Sequence, residues 1–340
     1  MEKATIEFKA VTPAFIHRES SGEAEFRIPS LRGVLRFWTR AVYGPFRDLQ
    51  RLFEEEAELW GKTDRASPVR LWIEGETLKN NDNDKFPLLP HYTRKQDSSP
   101  SKALSPTSTM RGGDRRAGQA PDRPSKALSP SSTVRVHMEG PADVVRQAIR
   151  ILRLALALGG LGQRSRRGAG SFDVQVVKPP GDLEEQYRNP LPRDPQRLAQ
   201  WIKTTLEQLQ RDLGNPGHSN GKAPFPMLCP RPHECAMIRV RQSPSSDSES
   251  ARKDIMIALK NYKSPSWGLP YLKPAPGHSP IERVRWASPA HFRILPADKG
   301  FLEVLTILKS PFPVAIQAHL QKWDEVDRFA KNFGGVLAWP

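Results

Sequence analysis

The strongest constraint on the fold lies in the middle of the chain. A seventeen-residue apolar stretch, ADVVRQAIRILRLALAL (Ala142 to Leu158), runs into GGLGQRSRRGAGSF (Gly159 to Phe172) and then into SFDVQVV (Ser171 to Val177). Val144, Val145, Ala148, Ile151, Leu152, Ala155 and Leu158 recur at helical spacing, so the first segment is a helix with a wide buried face. The last segment reads as a strand. Five glycines and three arginines between them let the main chain turn sharply and set N–H groups beside guanidiniums, which suits phosphate oxygens. A solvated basic connection is the plainer alternative. A dinucleotide fingerprint must follow a strand and open a helix, whereas this glycine run follows a helix, and no GxxxxGK[ST] is present.

Upstream, TIEFKAV (Thr5 to Val11) alternates as a half-buried strand. Ser30 is placed to cap SLRGVLRFWTRAVY, where Leu31, Val34, Leu35, Trp38 and Val42 form the apolar side. Arg32, Arg36 and Arg40 recur every fourth residue on a neighbouring stripe and repel one another unless screened by an anion or water. A second helix is expected over Leu49 to Trp60, ended by Gly61, and a strand over Val69 to Gly75. Then come about 55 residues without a clear element (about 76–130), too long for an ordinary loop. They carry a local duplication, PSKALSPTSTMR (Pro100 to Arg111) and PSKALSPSSTVR (Pro124 to Arg135), whose second copy leads into a strand at Thr133 to Glu139. The cations Lys102, Arg111, Arg115, Arg116, Arg123 and Lys126 serve chiefly to solvate this Pro/Ser-rich segment.

The order strand, helix, strand, strand, helix, strand predicts a split βαβ, ferredoxin-like sandwich over residues 1–178, a fold shared with RNA-recognition modules. A proline-rich linker (179–194) follows. Residues 195–340 are read as a second, more irregular domain of the same kind: a helix over Pro195 to Leu213, a strand at Ala236 to Val240, a helix from Asp247 or Ser248 to about Tyr262, a hairpin Ala290 to Leu295 and Phe301 to Leu308, a helix over Ala318 to Phe329, and a strand over Gly335 to Trp339. The predicted class is α+β, with two tandem ferredoxin-like (RRM-like, βαββαβ) domains.

Charge enters where the partner is asked for. Fifty-two Lys+Arg against 37 Asp+Glu give a net charge of +15, which favours a polyanion. Two cysteines cannot frame a disulfide scaffold, which suggests a cytoplasmic chain, and no run of about 18 apolar residues suggests a membrane span. His218, Cys229, His233 and Cys235 carry donor types suited to zinc, but without CxxC or HxxxH spacing, so neither a metal nor any other cofactor is expected. His17, just past the first strand, is the one candidate general base, with no acid partner in its neighbourhood.

The stretches IPSLRGVLRFWTRAV (Ile28 to Val42), ELWGKTDRASPVRLWI (Glu58 to Ile73), GGLGQRSRRGAGSF and WASPAHFRILPADKGFLEVLTILKSPF (Trp286 to Phe312) together resemble the RAMP superfamily of CRISPR proteins, and more narrowly the family of first subunits of type III-B (Cmr) effector complexes. The resemblance implies two ferredoxin-like domains in a non-catalytic RNA-binding and assembly subunit, near the guide's 3′ portion. Its implied partners are CRISPR guide RNA, target RNA and other Cmr subunits, notably subunit six and the backbone subunit, with no membrane. It points to Arg32, Arg36, Arg40, Gly160, Gly162, Arg164, Arg166, Arg167 and Gly168 as RNA-facing, guanidiniums from both segments forming one seat beside a bare main chain. Where relatives carry small glycines after the first strand, this chain has AFIHRES, and its duplicated insertion falls where backbone relatives carry a thumb-like hairpin. The alternative is a metal-independent endoribonuclease acting on CRISPR precursor RNA, with His17 as base.

Overall fold

The computed structural model describes residues 1–17, 23–77, 85–86, 125–214, 225–229, 235–260, 287–310 and 323–339. In the first half, β1 (Glu2–Ala10), α1 (Ile28–Tyr43), α2 (Leu49–Trp60), β2 (Arg70–Thr77), β3 (Thr133–Gly140), α3 (Ala142–Leu158) and β4 (Phe172–Lys178) follow in order. Their strands make an antiparallel sheet ordered β2-β3-β1-β4. The second half adds α4 (Pro195–Asp212), β5 (Ala236–Gln242), α5 (Ser248–Lys260), β6 (Ala290–Pro296), β7 (Phe301–Leu308), α6 (Trp323–Phe333) and β8 (Val336–Trp339). Its sheet runs β8-β5-β7-β6, which is the same order of strands within the half.

Local chemistry explains the element ends. Asp48 and Asp194 accept from the N–H groups of Arg51 and Arg197 and so cap α2 and α4. α1 starts three residues earlier than a Ser30 cap would place it, because Pro29 sits in the first turn, where a missing N–H costs nothing. The β6–β7 hairpin closes at Gly300 with φ +72°, as its Asp-Lys-Gly turn requires. α6 begins at Trp323 and runs on to Phe333, past the expected end at Phe329; residues 318–322 lie outside the described residues. The first repeat copy and the cations Lys102, Arg111, Arg115, Arg116 and Arg123 also lie outside them. From the second copy, Ser125–Lys126 pairs antiparallel with Lys85–Phe86.

The two halves share one core. From Ile151 onward α3 is buried not on one face but all round: Leu154 and Leu156 are as covered as Ile151, Leu152 and Ala155. A helix apolar on every side must be enclosed. One side meets β1, β3 and β4, and the other meets β6 and β7 of the second sheet. α4 in turn packs on β8 and β5, and its Leu198, Ile202 and Leu206 join the same cluster. A separate cluster under α5 and α6 (Ala251, Ile255, Phe292, Val326, Phe329) fills the outer side of the second sheet.

Candidate nucleic-acid interface

The glycine/arginine stretch is a folded knot rather than an open loop. Leu161 N–H donates to Gly170 O (2.9 Å), and Gly170 N–H to Pro13 O (2.9 Å). Gln163 N–H donates to Phe15 O (2.9 Å), while Thr12 Oγ1 donates to Gly168 O (2.8 Å) and accepts from Ser171 N–H (2.9 Å). Gly170 has φ +62°, and a Cβ there would lie 1.8 Å from Leu161 O, so only glycine fits. A Cβ on Gly159 would lie 2.7 Å from the Trp38 indole nitrogen.

This corrects the expected role of the glycines. Gly160 and Gly168 are buried and their close approaches are to the chain's own Ala169, Gly170, Arg252 and Ile294; only Gly162 is half-exposed. The bare main chain is used to pack against itself, because the tight crossing of residues 12–15 and 159–171 leaves no room for side chains. The AFIHRES departure fits the same picture: Ala14, Phe15 and Ile16 are buried beneath the knot.

The second half locks the knot in place. Arg293 on β6 is fully buried and donates to Leu156 O (2.6 Å) and Phe172 O (2.6 Å), satisfying carbonyls at the end of α3 and the start of β4. Burial lowers its pKa to about 9. His291 packs its ring against Phe37 (5.6 Å) and Trp38 (5.5 Å) of α1. Its pKa is pushed well below the usual value by burial first and then by Arg166 and Arg167. Sequence reasoning placed these two residues on a strand without giving them a role. The available signal was a cation and an imidazole at alternate positions of an otherwise apolar strand.

Three cations cluster on the knot, running from the exposed Arg164 inward to Arg167. Arg164 is exposed and adopts φ +59°, a left-handed conformation that costs a residue with a Cβ, and it opens a short turn of 3₁₀ helix at Ser165–Arg167. Arg166 donates to Ser288 O and lies 5.8 Å from the Phe37 ring. Arg167 is half-buried; its pKa is lowered to about 10, by burial first and then by Arg164 and Arg166. Guanidiniums that depress one another's protonation raise the local potential, and an anion relieves it.

The arginines of α1 are disposed differently. Arg40 pairs with Glu56 of α2 at 2.6 Å, and Arg36 Nε lies 3.5 Å from the same carboxylate while its terminal nitrogen donates to Gly61 O at the end of α2. Arg32, at the start of the stripe, is half-buried, its pKa lowered by burial and by Arg36, and its Nε has no hydrogen-bond partner among the described residues. α1 and the knot meet, through Phe37, Trp38, Gly159 and Arg166, while Arg36 and Arg40 of α1 turn their guanidiniums to Glu56. The i, i+4 spacing that aligned Arg36 and Arg40 also turned both toward one acid on the adjacent helix.

His17 Nε2 donates to Lys126 O (2.7 Å), which ties the second repeat copy to the end of β1; a carbonyl can only accept, so this nitrogen carries the proton. The sulfurs of Cys229 and Cys235 meet, with their Cα atoms 5.9 Å apart; His218 and His233 lie outside the described residues. Among the described residues no group of three or more His, Cys, Asp or Glu is arranged for a metal, and no helix is long and apolar enough to cross a membrane.

Comparison with known proteins is consistent with this geometry. Residues 7–173 match the family profile of the RAMP superfamily. The CRISPR system Cmr subunit Cmr1-2 of Pyrococcus furiosus is 32% identical over 81 residues, which are 23% of this chain and 43% of that protein. The matched stretch thus spans less than half of the curated relative. The apo crystal structure of Cmr1 from Pyrococcus furiosus superposes with a TM-score of 0.62 at 19% identity, over 100% of this chain and 99% of that one. A chain of a type III-B Cmr-β complex bound to cognate target RNA superposes with a TM-score of 0.56 at 12% identity, over 90% and 94% of the two chains. At these identities the superpositions speak for a shared fold. The family profile covers the knot and the elements before it, and the Cmr1 fold extends over the whole length, so the chain is similar to RAMP superfamily proteins and, among them, to Cmr1.

Proposed function

We propose that this chain is a non-catalytic RNA-binding and assembly subunit of a type III-B Cmr effector, acting in the cytoplasm and contacting guide or target RNA near the guide's 3′ end. It is built from two tandem ferredoxin-like, RRM-like domains, residues 1–178 and 195–340, joined by 179–194, with an insertion over about 76–130. Its partners are the two RNA strands and the other Cmr subunits, notably the sixth and the backbone subunit. The observation that carries this reading is the cluster of Arg164, Arg166 and Arg167, held on a rigid knot and crowding one another's charge. Such a cluster neutralises phosphates without reading bases, which suits a subunit that leaves sequence to guide–target pairing.

The test is a titration of the full chain with guide-length single-stranded RNA at two salt concentrations. The Arg164→Ala/Arg167→Ala variant should bind about 10- to 100-fold more weakly at low salt and show a slope in log[salt] shallower by about one to two. Unchanged affinity and slope would reject the reading. The alternative is a metal-independent endoribonuclease acting on CRISPR precursor RNA with His17 as base, its ring oriented by the bond from Nε2 to Lys126 O. His17→Ala should leave labelled precursor RNA as intact in EDTA as the parent chain does.

A further inference from the structure

The first sheet has a second face that the knot does not use. Alternation along β1 sends Ala4, Ile6 and Phe8 into the core and leaves Lys3, Thr5, Glu7 and Lys9 on the opposite side, away from α1 and α3. Strand register builds rows of side chains across this side. One row is Arg70, Glu139, Lys3; the next is Trp72, His137, Thr5, Lys178.

The second row holds a built aromatic platform. His137 is 3% exposed, held by a hydrogen bond between Nδ1 and Thr5 Oγ1 (3.0 Å), with Nε2 2.7 Å from Glu74 Oε2. Trp72 lies over it at 5.1 Å with 36° between the rings, and is itself half-exposed. Two exposed cations hover over the indole: Lys3 Nζ at 5.1 Å and the Arg70 guanidinium at 5.2 Å. Lys9, Arg135 and Lys178 are exposed on the same side, and of these Arg135 is paired, to Glu7 at 3.2 Å. From Lys3 to Lys9 the strand runs about 20 Å.

We propose that this face binds single-stranded RNA, with a base stacked on Trp72 and the flanking Lys3, Arg70 and Lys178 meeting phosphates. An indole immobilised from below and attended by long cations offers what an unpaired base and its backbone need: a flat apolar surface and movable positive charge beside it. A paired base keeps both of its own faces stacked, so a duplex gains nothing here. The surface rests on the function proposed above only for the class of ligand. Its residues and its side of the sheet are separate from the knot.

The experiment uses the full chain and a labelled single-stranded RNA, with an RNA duplex of equal length as competitor. Trp72→Ala should weaken single-strand binding about 5- to 100-fold, the range for losing one base stack, with the salt slope little changed. Trp72→Phe should restore most of the affinity, which a merely structural role for the indole would not require. Because Trp72→Ala removes a half-buried ring, Lys3→Glu, at an exposed position, provides the arm that folding cannot confound, and it should weaken binding several-fold and make the slope shallower. Parent-like binding by Lys3→Glu together with a folded Trp72→Ala overturns the proposal. So does a result in which these variants bind RNA normally but fail to assemble with other Cmr subunits, which would assign the face to a protein. Failure of the knot reading is distinguishable: there, Arg164→Ala/Arg167→Ala is silent while the Trp72 variants are not.

Discussion

Two sets of arginines on this molecule look alike in sequence and differ in what surrounds them. On α1, Arg36 and Arg40 share Glu56, and Arg36 also satisfies a carbonyl at the end of α2. On the knot, Arg166 leans on Phe37 and a backbone carbonyl, and Arg167 is half-buried among other cations. The first set spends its charge joining two helices, because a carboxylate with only 8% of its side chain exposed needs cations close by. The second set crowds its charges together beside Phe37 and the second half of the chain. The comparison teaches that what a basic stripe does with its charge is set by the element packed beside it, and that neighbour belongs to the tertiary structure.

The comparison breaks most visibly if the knot is not rigid. Gly170→Ala puts a methyl into Leu161 O at a positive φ, and should cost about 3 kcal/mol or more. For a chain of this size that is a fall in Tm of roughly 4 °C or more, read by thermal denaturation. A parent-like Tm would mean that the knot relaxes freely and does not hold its arginines in place.

Next in size is the contrast between the two sets themselves. Arg36→Ala/Arg40→Ala should destabilise the chain by about 1–3 kcal/mol, by leaving Glu56 without its cations. The same variant should change RNA affinity by less than about threefold, against the larger loss expected from Arg164→Ala/Arg167→Ala. Equal losses in RNA binding from both pairs would favour a single pooled seat and end the distinction. Glu56→Gln sharpens it from the other side: releasing Arg36 and Arg40 should lower stability and raise RNA affinity about twofold at low salt, an increase that disappears at high salt.

The smallest effect is in pH. His291 is held neutral in the folded chain, by burial first and then by Arg166 and Arg167, below its ordinary value of 6.5. In the unfolded chain it takes up a proton as pH falls through 6.5, so the unfolded state binds more protons and stability falls with decreasing pH. Between pH 7 and 5.5 this residue should contribute about 1 kcal/mol of that loss. Denaturant midpoints of the parent and His291→Gln at the two pH values should differ in their pH sensitivity by that amount. An identical dependence would place the imidazole in contact with solvent.

Much of the architecture was legible because it is local. The 3.6-residue recurrence in Leu31, Leu35, Trp38 and Val42, the stop of α2 at Gly61, and the Asp-Lys-Gly turn before Phe301 are encoded within a few residues of where they act. The enclosure of α3 was half legible: its run of apolar side chains marked a buried helix, but the second set of partners comes from β6 and β7, over a hundred residues away. The candidate site was less legible. Gly160 and Gly168 were read as open to a ligand, because spacing cannot distinguish a glycine approached by phosphate from one approached by Ala169, Gly170, Arg252 and Ile294.

By itself, then, the sequence determined the succession of strands and helices, the cationic excess, and the knot as the place where the chain departs from regular structure. Each follows from short-range periodicity, capping chemistry and charge counting. Only the tertiary structure decided which arginines are already partnered, that Arg293 and His291 reach from the second half to fasten the knot, and that Trp72 rests on His137 on the far side of the first sheet. Those outcomes depend on which distant carbonyl, carboxylate or ring a side chain meets, and that is set by the packing of two sheets around a shared helix.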